Sequence, residues 1–507
     1  MRLNQRKAGV LLNYLSEAIK ILTALIYTPV MLRLLGQSEY GLYQLVSSTV
    51  AYLSLLSLGF GSAYVRYYSR YRASEDDEGV ARLNGMFILI FSAMSVVCLL
   101  CGGIMTANVR AVFGSGLNAA ELERAKILLA ILIVNMALTF PNSVFNCYVT
   151  AHEQFVFQKL LMVAQNLLNP FLTLPLLLLG YSSVAMVLVS TLLTVVCFGV
   201  NIYFCRKRLQ MRFRFRGMQF GLLKEMSVFT FFIFLNQIID QVNWSVDKFL
   251  LGRMSGTAAV AVYGIGGQIN SLYIQMSTSI SNVFIPRVNR IVAQSDDNCE
   301  LTQLMIKVGR IQFAILMLII TGFIFFGQPF IQFWAGSHYG DAYWVALLLM
   351  IPVTIPLVQN LGIEIQRAKN KHQARSVIYA CLSAINVGLS ILLIRYWGVV
   401  GAAAGTTVSL ILGNGFFMNW YYHKKLSMNM IAFWKSILKM IPAIIPTVIL
   451  GVAYVFFVEV DDWSTLLGSL VLYTLVYCAF MWAMGLNSNE KAIVRSILGR
   501  MVSGEKK

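Results

Sequence analysis

The stretch Asn-Gln-Ile-Ile-Asp-Gln-Val-Asn-Trp-Ser-Val-Asp-Lys, residues 236–248, places polar and charged side chains inside an otherwise apolar segment. Four of them recur at steps of four, three and four, and therefore share one side of an α-helix: Asn236, Asp240, Asn243 and Asp247. An ionisable group at membrane depth is costly and normally faces a bundle interior or a water-filled cavity. The stretch therefore predicts a membrane helix with one face toward an aqueous path.

A second polar stripe lies near the N-terminus, where Asn13, Glu17 and Lys20 follow one another at steps of four and three. The offset of 216 residues that places Lys20 opposite Asn236 puts the two stripes in the same helical phase. Glu17 and Lys20 could neutralise each other as a structural pair, or they could line a cavity as separate charges. The cavity is favoured, because a bare buried pair gains nothing that leucine packing does not supply.

The composition indicates a membrane protein over the whole length. Apolar residues make up 58% of the 507 residues and charged residues only 12%, against about 25% in soluble proteins. Apolar segments of about 20 residues, the length that crosses a bilayer, recur from end to end. The predicted spans are 9–34, 43–67, 84–107, 126–149, 160–180, 183–205, 226–251, 259–285, 309–333, 343–366, 376–397, 399–422, 438–458 and 464–486.

The net charge of +18 is explained by membrane topology and does not indicate a nucleic-acid partner. With both termini placed in the cytoplasm, almost all Lys and Arg fall in the loops of that side, as the positive-inside rule requires. Two more, Lys20 and Lys248, lie within spans. The opposite side holds only Arg33, Arg110, Arg124, Lys126, Arg253 and Arg395. We therefore predict a multi-pass membrane protein with both termini in the cytoplasm.

No catalytic or metal-binding motif is found. The eight Cys are scattered, and no second Cys pair or His completes a metal site near Cys98 and Cys101. The four His lie in predicted loops, and the external loops are short. These features favour a protein that is not an enzyme and has no cofactor, with a coupling ion, H⁺ or Na⁺, left open.

A weak internal repeat organises the chain. Leu34-Leu35-Gly36 with Tyr40-Gly41 after the first span matches Leu250-Leu251-Gly252 with Tyr263-Gly264 after the seventh. Six helices separate the copies, and an even number makes the repeat parallel. The sequence predicts an N-terminal six-helix lobe with a basic connecting loop, a C-terminal six-helix lobe, and two additional helices with a tail, with the bounds 1–224, 225–425 and 426–507.

Further candidate residues surround the two stripes. Arg66 and Arg287, at the cytoplasmic ends of the second and eighth spans, are either topogenic anchors or the mouth of the aqueous path. Lys248 beside Asp247 is either a pair near the outer surface or a second cation of the path. Glu364 lies in the tenth span, which Pro352 and Pro356 bend. The cations of this set suit a phosphate-bearing substrate.

At these residues the chain resembles the polysaccharide transporter family, the oligosaccharide flippases of the superfamily that includes the multidrug and toxin extruders. The motifs that carry the resemblance are Asn13, Pro29, Arg33-Leu34-Leu35-Gly36 and Tyr40-Gly41-Leu42-Tyr43, then Asp247-Lys248-Phe249-Leu250-Leu251-Gly252 and Tyr263. About fourteen helices favour the flippase branch, because the extruders typically have twelve.

The resemblance implies a V-shaped pair of lobes working by alternating access, with the first, second, seventh and eighth helices around a central cavity. The implied substrate is an undecaprenyl-pyrophosphate-linked oligosaccharide, flipped from the inner to the outer leaflet of a bacterial inner (plasma) membrane for O-antigen or capsule assembly. The implied partners are membrane lipids and other polysaccharide-assembly proteins, and the implied state is a monomer. The stripes are at least as acidic as basic, unlike a simple phosphate trap.

Three other functions compete with the flippase. The first is a cation-coupled multidrug antiporter, in which Glu17 or Asp240 would be the proton or sodium site. A membrane enzyme of polysaccharide assembly is the second, and turnover of a lipid-linked sugar would identify it. A scaffold comes last, because buried charge brings it no benefit.

Overall fold

The computed structural model describes residues 5–217, 221–369, 371, 373–492 and 495. This part of the chain is helical and contains no β-strand, which confirms the predicted all-α class. It divides into two compact units. The first consists of the described residues of Met1–Gly264 with Asn386–Ala402, and the second of those of Ile265–Ile385 with Ala403–Lys507.

The first unit is built on α6, which packs against α4 and α8, while α1 packs against α7 and α2 packs against α9. Its helices are α1 (Gln5–Leu35), α2 (Gln37–Ala51), α3 (Phe60–Ala73), α4 (Asp77–Ala107), α5 (Val109–Phe113), α6 (Ala119–Ala151), α7 (Phe155–Leu178), α8 (Ser183–Lys207) and α9 (Gly221–Met254), followed by the start of α10 (Thr257–Gln294).

The contact between α4 and α6 illustrates how these apolar helices associate. A Cβ added to Gly102 would lie 2.4 Å from Cγ2 of Ile133, so only glycine permits this approach. Ser95 donates a hydrogen bond of 2.8 Å to the carbonyl oxygen of Ala137. Small residues and interhelical hydrogen bonds are the usual means of helix packing where lipid removes the hydrophobic driving force.

The second predicted span, 43–67, is broken. A 3₁₀ turn over Tyr52–Ser57 separates α2 from α3, and Leu58 (φ 49°) and Gly59 (φ 73°) follow in left-handed conformations. A Cβ on Gly59 would lie 2.8 Å from Cγ2 of Ile233 on α9. The break therefore brings the backbone of this span directly against α9.

The second unit is built around α11, which packs against α12, α13, α16, α17 and α18. Its helices after α10 are α11 (Asn298–Trp334), α12 (Ala342–Val358), α13 (Asn360–Ala368), α14 (Gln373–Leu410), α15 (Met418–Lys425), α16 (Met430–Leu438), α17 (Ile441–Phe457) and α18 (Trp463–Phe480). Single π-helical turns follow α14 and α18.

The helices cross a membrane many times. Among the described residues, ten helical segments are long and apolar enough to span, and α12 with α13, bent by 44°, makes an eleventh. Arg375–Lys425, at 51 residues, is about 76 Å long and is broken at Gly398 (φ 53°), so it accommodates two spans. Large apolar side chains are exposed, as expected toward lipid.

The two remaining long helices, α9 and α10, have 34 and 38 residues but are too polar to belong to that set. With them the helices are consistent with the fourteen predicted spans. The lobe bounds at 1–224, 225–425 and 426–507 stay a prediction, because the compact units describe only which helices pack together.

A buried ion pair fixes the segment after α18 to the second unit. Arg310 of α11 donates to both carboxylate oxygens of Glu490, at 2.6 and 2.9 Å, and both side chains are less than a tenth exposed. The guanidinium also donates to the carbonyl oxygens of Ser436 and Gly485, at 2.7 and 2.8 Å. One side chain thus joins α11, the end of α16 and the turn after α18.

The pKa of Glu490 is set by two opposing effects. Burial alone would raise this pKa, but hydrogen bonds from Arg310 and the Asn487 backbone, and the charges of Arg310 and Lys307, hold it below its ordinary value. A carboxyl with a lowered pKa in the folded chain contributes stability above its ordinary pKa. That contribution is lost as the pH falls toward the folded-state value.

We expect Glu490→Gln to destabilise the protein by about 3–5 kcal/mol, because it leaves the Arg310 charge buried without its partner. The measurement is thermal unfolding in detergent at pH 7 and at pH 4, and the difference between variant and parent should shrink at the lower pH.

The matched control is Asp77→Asn, which breaks an ion pair of 2.8 Å to Arg72 in which both side chains are mostly exposed. Such a pair contributes about 0–1 kcal/mol. Equal losses in the two variants would contradict a special role for the buried pair.

Candidate functional site

The polar stripe of α1 lies at the middle of that helix. Lys20 is exposed and stands fifteen residues from either end, and Glu17 is half-buried one turn earlier. Oε2 of Glu17 has no hydrogen-bond partner in the structure, and the ion pairs of the described side chains do not include Glu17 with Lys20. The Asn13 side chain lies outside the described residues.

The stripe of α9 likewise has its charge near the helix centre. Asp240 is exposed and lies fourteen residues before the last residue of α9, Met254. Asn236 and Asn243, one turn to either side, are half-buried. The stripe therefore combines an accessible carboxylate with amides that can donate and accept hydrogen bonds.

The C-terminal end of α9, which is the outer end in the predicted topology, is joined to its neighbours by hydrogen bonds. Asp247 is 1% exposed, and its Oδ2 accepts a hydrogen bond of 2.6 Å from the hydroxyl of Tyr263 on α10. Nζ of Lys248 donates to Oε1 of Gln44 on α2 at 3.0 Å, and Gln44 donates to the hydroxyl of Tyr40 at 2.7 Å. Asp247 thus bonds α9 to α10, and Lys248 bonds α9 to α2.

The two copies of the sequence repeat meet at this end. A Cβ on Gly41 would lie 1.9 Å from the carbonyl oxygen of Thr257, and a Cβ on Gly252 would lie 2.4 Å from Cδ1 of Leu45. Gly264 is the counterpart of Gly41. A Cβ on Gly264 would lie 3.4 Å from Cγ of Gln44. Glycines of both copies therefore let α2 approach the end of α9 and the start of α10.

Two carboxylates, buried Glu39 and half-buried Glu121, extend this contact to α6 and α8. Glu121 accepts hydrogen bonds from Ser38 at 2.6 Å and from Thr257 at 2.7 Å. Glu39 is 8% exposed and receives Arg124 at 2.6 Å. It also receives the Ser183 hydroxyl at 2.6 Å. We call Ser38, Glu39, Glu121, Arg124, Ser183 and Thr257 the outer polar cluster.

Sequence reasoning did not identify the outer polar cluster. Arg124 was assigned only to a loop, and Glu39 and Glu121 were not singled out at all. Their partners lie 85 and 83 residues apart in the chain, so no local spacing connects them. The one local signal was the capping box of Asn118 and Glu121 at the start of α6.

The other predicted residues lie elsewhere. Arg66 is exposed on α3 in the first unit. In the second unit, Arg287 is exposed, lies 3.9 Å from Glu300 and lines an open pocket of about 630 Å³ with Arg290. Glu364 accepts a hydrogen bond of 2.8 Å from Arg367 on the same helix. The charge of Glu364 is thus neutralised by a residue of its own helix.

A metal centre is not evident in the described residues. They contain no group of three or more His, Cys, Asp and Glu side chains placed to hold an ion. All eight Cys are free thiols, among them buried Cys98 and half-buried Cys101. Buried Cys98, Cys197 and Cys205 pack as small apolar residues do.

Comparison with known proteins identifies the family and the fold. The family described as polysaccharide biosynthesis protein matches residues 7–292, more than half of the chain. The uncharacterized membrane protein EpsK of Bacillus subtilis (strain 168) is 22% identical over 479 residues, which cover 92% of this chain and 93% of EpsK.

Solved transporter structures share the architecture. Lipid II flippase MurJ, in an inward closed conformation, superposes with a TM-score of 0.71 at 17% identity, over 93% of this chain and 98% of that one. An inward-facing multidrug resistance transporter of the MATE family, in the MOP superfamily, gives 0.65 at 17% identity, over 82% and 95%. The fold is therefore that of MurJ and the MATE transporters, and the chain belongs to the polysaccharide biosynthesis protein family.

Proposed function

We propose that the protein is a flippase that moves a lipid-linked oligosaccharide across a bacterial inner membrane by alternating access. Membership of the polysaccharide biosynthesis family supports the sugar part of this proposal. The fold, shared with a lipid II flippase and with multidrug transporters, supports movement across the bilayer. An undecaprenyl-pyrophosphate carrier is the lipid we propose.

The observation that carries the proposal is the exposed charge at the centre of two helices. Lys20 and Asp240 lie about 20 Å or more along the axis from the nearest end of their helix. Neither side chain is long enough to reach the membrane surface by snorkelling. An exposed charge at this depth is stable only beside water or polar substrate, so both helices line an aqueous path.

The chemistry of the substrate matches what such a path offers. A lipid-linked sugar needs hydrogen-bond partners for its hydroxyls, cations for its phosphates and a lateral opening for its tail. Asn236, Asp240 and Asn243 supply the first, and Lys20 supplies a cation for the second. The acidic residues of the path bind sugar hydroxyls or a coupling ion. The phosphate charge is neutralised by the few cations of the path, such as Lys20.

The contacts at the outer end of α9 suit a path closed on that side. They consist of glycine approaches and hydrogen bonds, which can separate without leaving a dry, unpaired charge. We propose that the contact of α2 with α9 and α10 opens when the substrate is released to the outer leaflet. Gly41, which touches the backbone of Thr257, is the most sensitive point of this closure.

We expect Asp240→Asn and Lys20→Ala each to lower export of the glycan at least tenfold without lowering the amount of protein in the membrane. The reason is that both remove a charge from the path while leaving helix packing unchanged. The measurement is surface polysaccharide, together with lipid-linked sugar accumulating on the inner leaflet, in cells that depend on the variant.

Asp77→Asn and Lys126→Ala are matched controls, because they remove charges of the same kind at exposed helix ends. Normal glycan export in both Asp240→Asn and Lys20→Ala would contradict the proposal that α1 and α9 line the transport path. Normal glycan export combined with lost drug resistance would instead identify a cation-coupled antiporter.

A second prediction concerns the outer closure. Gly41→Ala should push α10 from α2, because the added Cβ overlaps the carbonyl of Thr257. We expect it to shift the protein toward the outward-open state. The measurement is the labelling rate of Thr257→Cys, 5% exposed in the parent, by an impermeant maleimide after replacing exposed Cys299, Cys381 and Cys478 with Ser. Labelling should be about tenfold faster.

Gly103→Ala is the control, since a Cβ there meets no atom within 4 Å and labelling should not change. Equal labelling rates in Gly41→Ala and the parent would contradict the proposed opening.

A further inference from the structure

A polar pocket lies within the first unit. It is formed by α6, α7 and α8 and has a volume of about 320 Å³. That volume is near the lower end of the range for ligand pockets, about 300–1,000 Å³, and suits a headgroup-sized molecule. The polar lining consists of Asn142, Asn146, Gln158, Lys159, Gln165 and Asn201.

The amides of the pocket leave both donors and acceptors unused. Asn201 is 1% exposed, and its amide nitrogen donates to Oδ1 of Asn142 at 2.8 Å and of Asn146 at 3.1 Å. Its own Oδ1 is buried without a partner in the structure. Because the Oδ1 atoms of Asn142 and Asn146 face Asn201, their amide nitrogens point the other way and can donate to a ligand. Oδ1 of Asn201 can accept a hydrogen bond from the same ligand. Hydroxyl groups, which donate and accept at once, fit such a lining.

Lys159 adds a positive charge to the pocket. The contact recorded for Nζ is the sulfur of Met162 at 3.8 Å, which neutralises no charge. Within the described part of the chain, Lys159 belongs to no ion pair. Gln158 beside it is held by hydrogen bonds to the Asn146 carbonyl and the Thr150 hydroxyl, at 3.0 and 2.7 Å. An ammonium group beside ordered amides suits a phosphate.

The position of the pocket favours an anion arriving at the membrane surface. Asn201 lies six residues before the end of α8, about 9 Å along the helix. The exposed cations Arg206, Lys207 and Arg208 follow directly and attract anions to that face. The rings of Phe157 and Phe204 stack with centroids 3.8 Å apart and hold α7 against α8.

We propose that this pocket binds a polyol phosphate, a phosphate ester that carries neighbouring hydroxyl groups. Lys159 binds the phosphate, and Asn142, Asn146 and Asn201 bind the hydroxyls. The ligand is either the glycerol-phosphate headgroup of an anionic phospholipid or a soluble sugar phosphate. This assignment rests on the pocket alone and does not depend on the function proposed above.

The test uses the purified full chain in detergent with two probes, dioleoylphosphatidylglycerol and glucose 1-phosphate. Binding is measured by native mass spectrometry and by the shift in unfolding temperature, with dioleoylphosphatidylcholine as the reference lipid. We expect at least one of the two probes to bind, and phosphatidylglycerol, if it binds, to bind more tightly than phosphatidylcholine. Lys159→Met and Asn146→Leu should each weaken binding about tenfold, and Lys159→Arg should restore most of it.

Lys126→Met is the matched control, because it removes the same charge from α6 about 30 Å along the helix from Asn146. If the pocket variants lose binding of phosphatidylglycerol alone, the site is assigned to the lipid. If they lose binding of glucose 1-phosphate, the site is assigned to a soluble phosphate. The proposal is overturned if the parent binds neither probe or if the pocket variants bind the probes as tightly as the parent does. It is also overturned if Lys126→Met weakens binding as much as the pocket variants do.

Discussion

A charge at the centre of a transmembrane helix constrains everything around it. Lys20 and Asp240 lie too far from the ends of their helices to snorkel, and both are exposed, so the proposed path has to bring water or polar substrate to them. The middle of α4, by contrast, exposes apolar side chains that suit lipid, such as Leu89, Val96 and Leu100.

The two units hold their helices by contacts of different strength. The outer end of α9 is attached to α2 through glycines and a lysine–glutamine hydrogen bond, which can separate and be solvated. The second unit instead buries the ion pair of Arg310 and Glu490, which is costly to break. The proposed alternating access needs both kinds of contact: contacts that separate where the path closes, and contacts that persist within a packed group of helices.

Much of this architecture was predictable, because helices in lipid must satisfy their own backbone groups and therefore show as long apolar runs. The stripes were predictable from spacing alone, and the repeat glycines marked the place where the two copies meet. The break at Leu58 and Gly59 was not predicted, since hydropathy is insensitive to backbone dihedrals. Nor were the partners of Glu39 and Lys248, because Arg124 and Gln44 are distant in sequence and only packing joins them.

The most direct test of the account is the aqueous accessibility of Asp240. In a variant without native cysteines, Asp240→Cys should react rapidly with a charged, water-soluble methanethiosulfonate. Phe171→Cys, on the apolar surface of α7 where the parent side chain is 73% exposed, should react slowly because it faces lipid. Equal, slow reaction at both positions would mean that no water reaches the centre of α9, and the transport path proposed for this protein would be wrong.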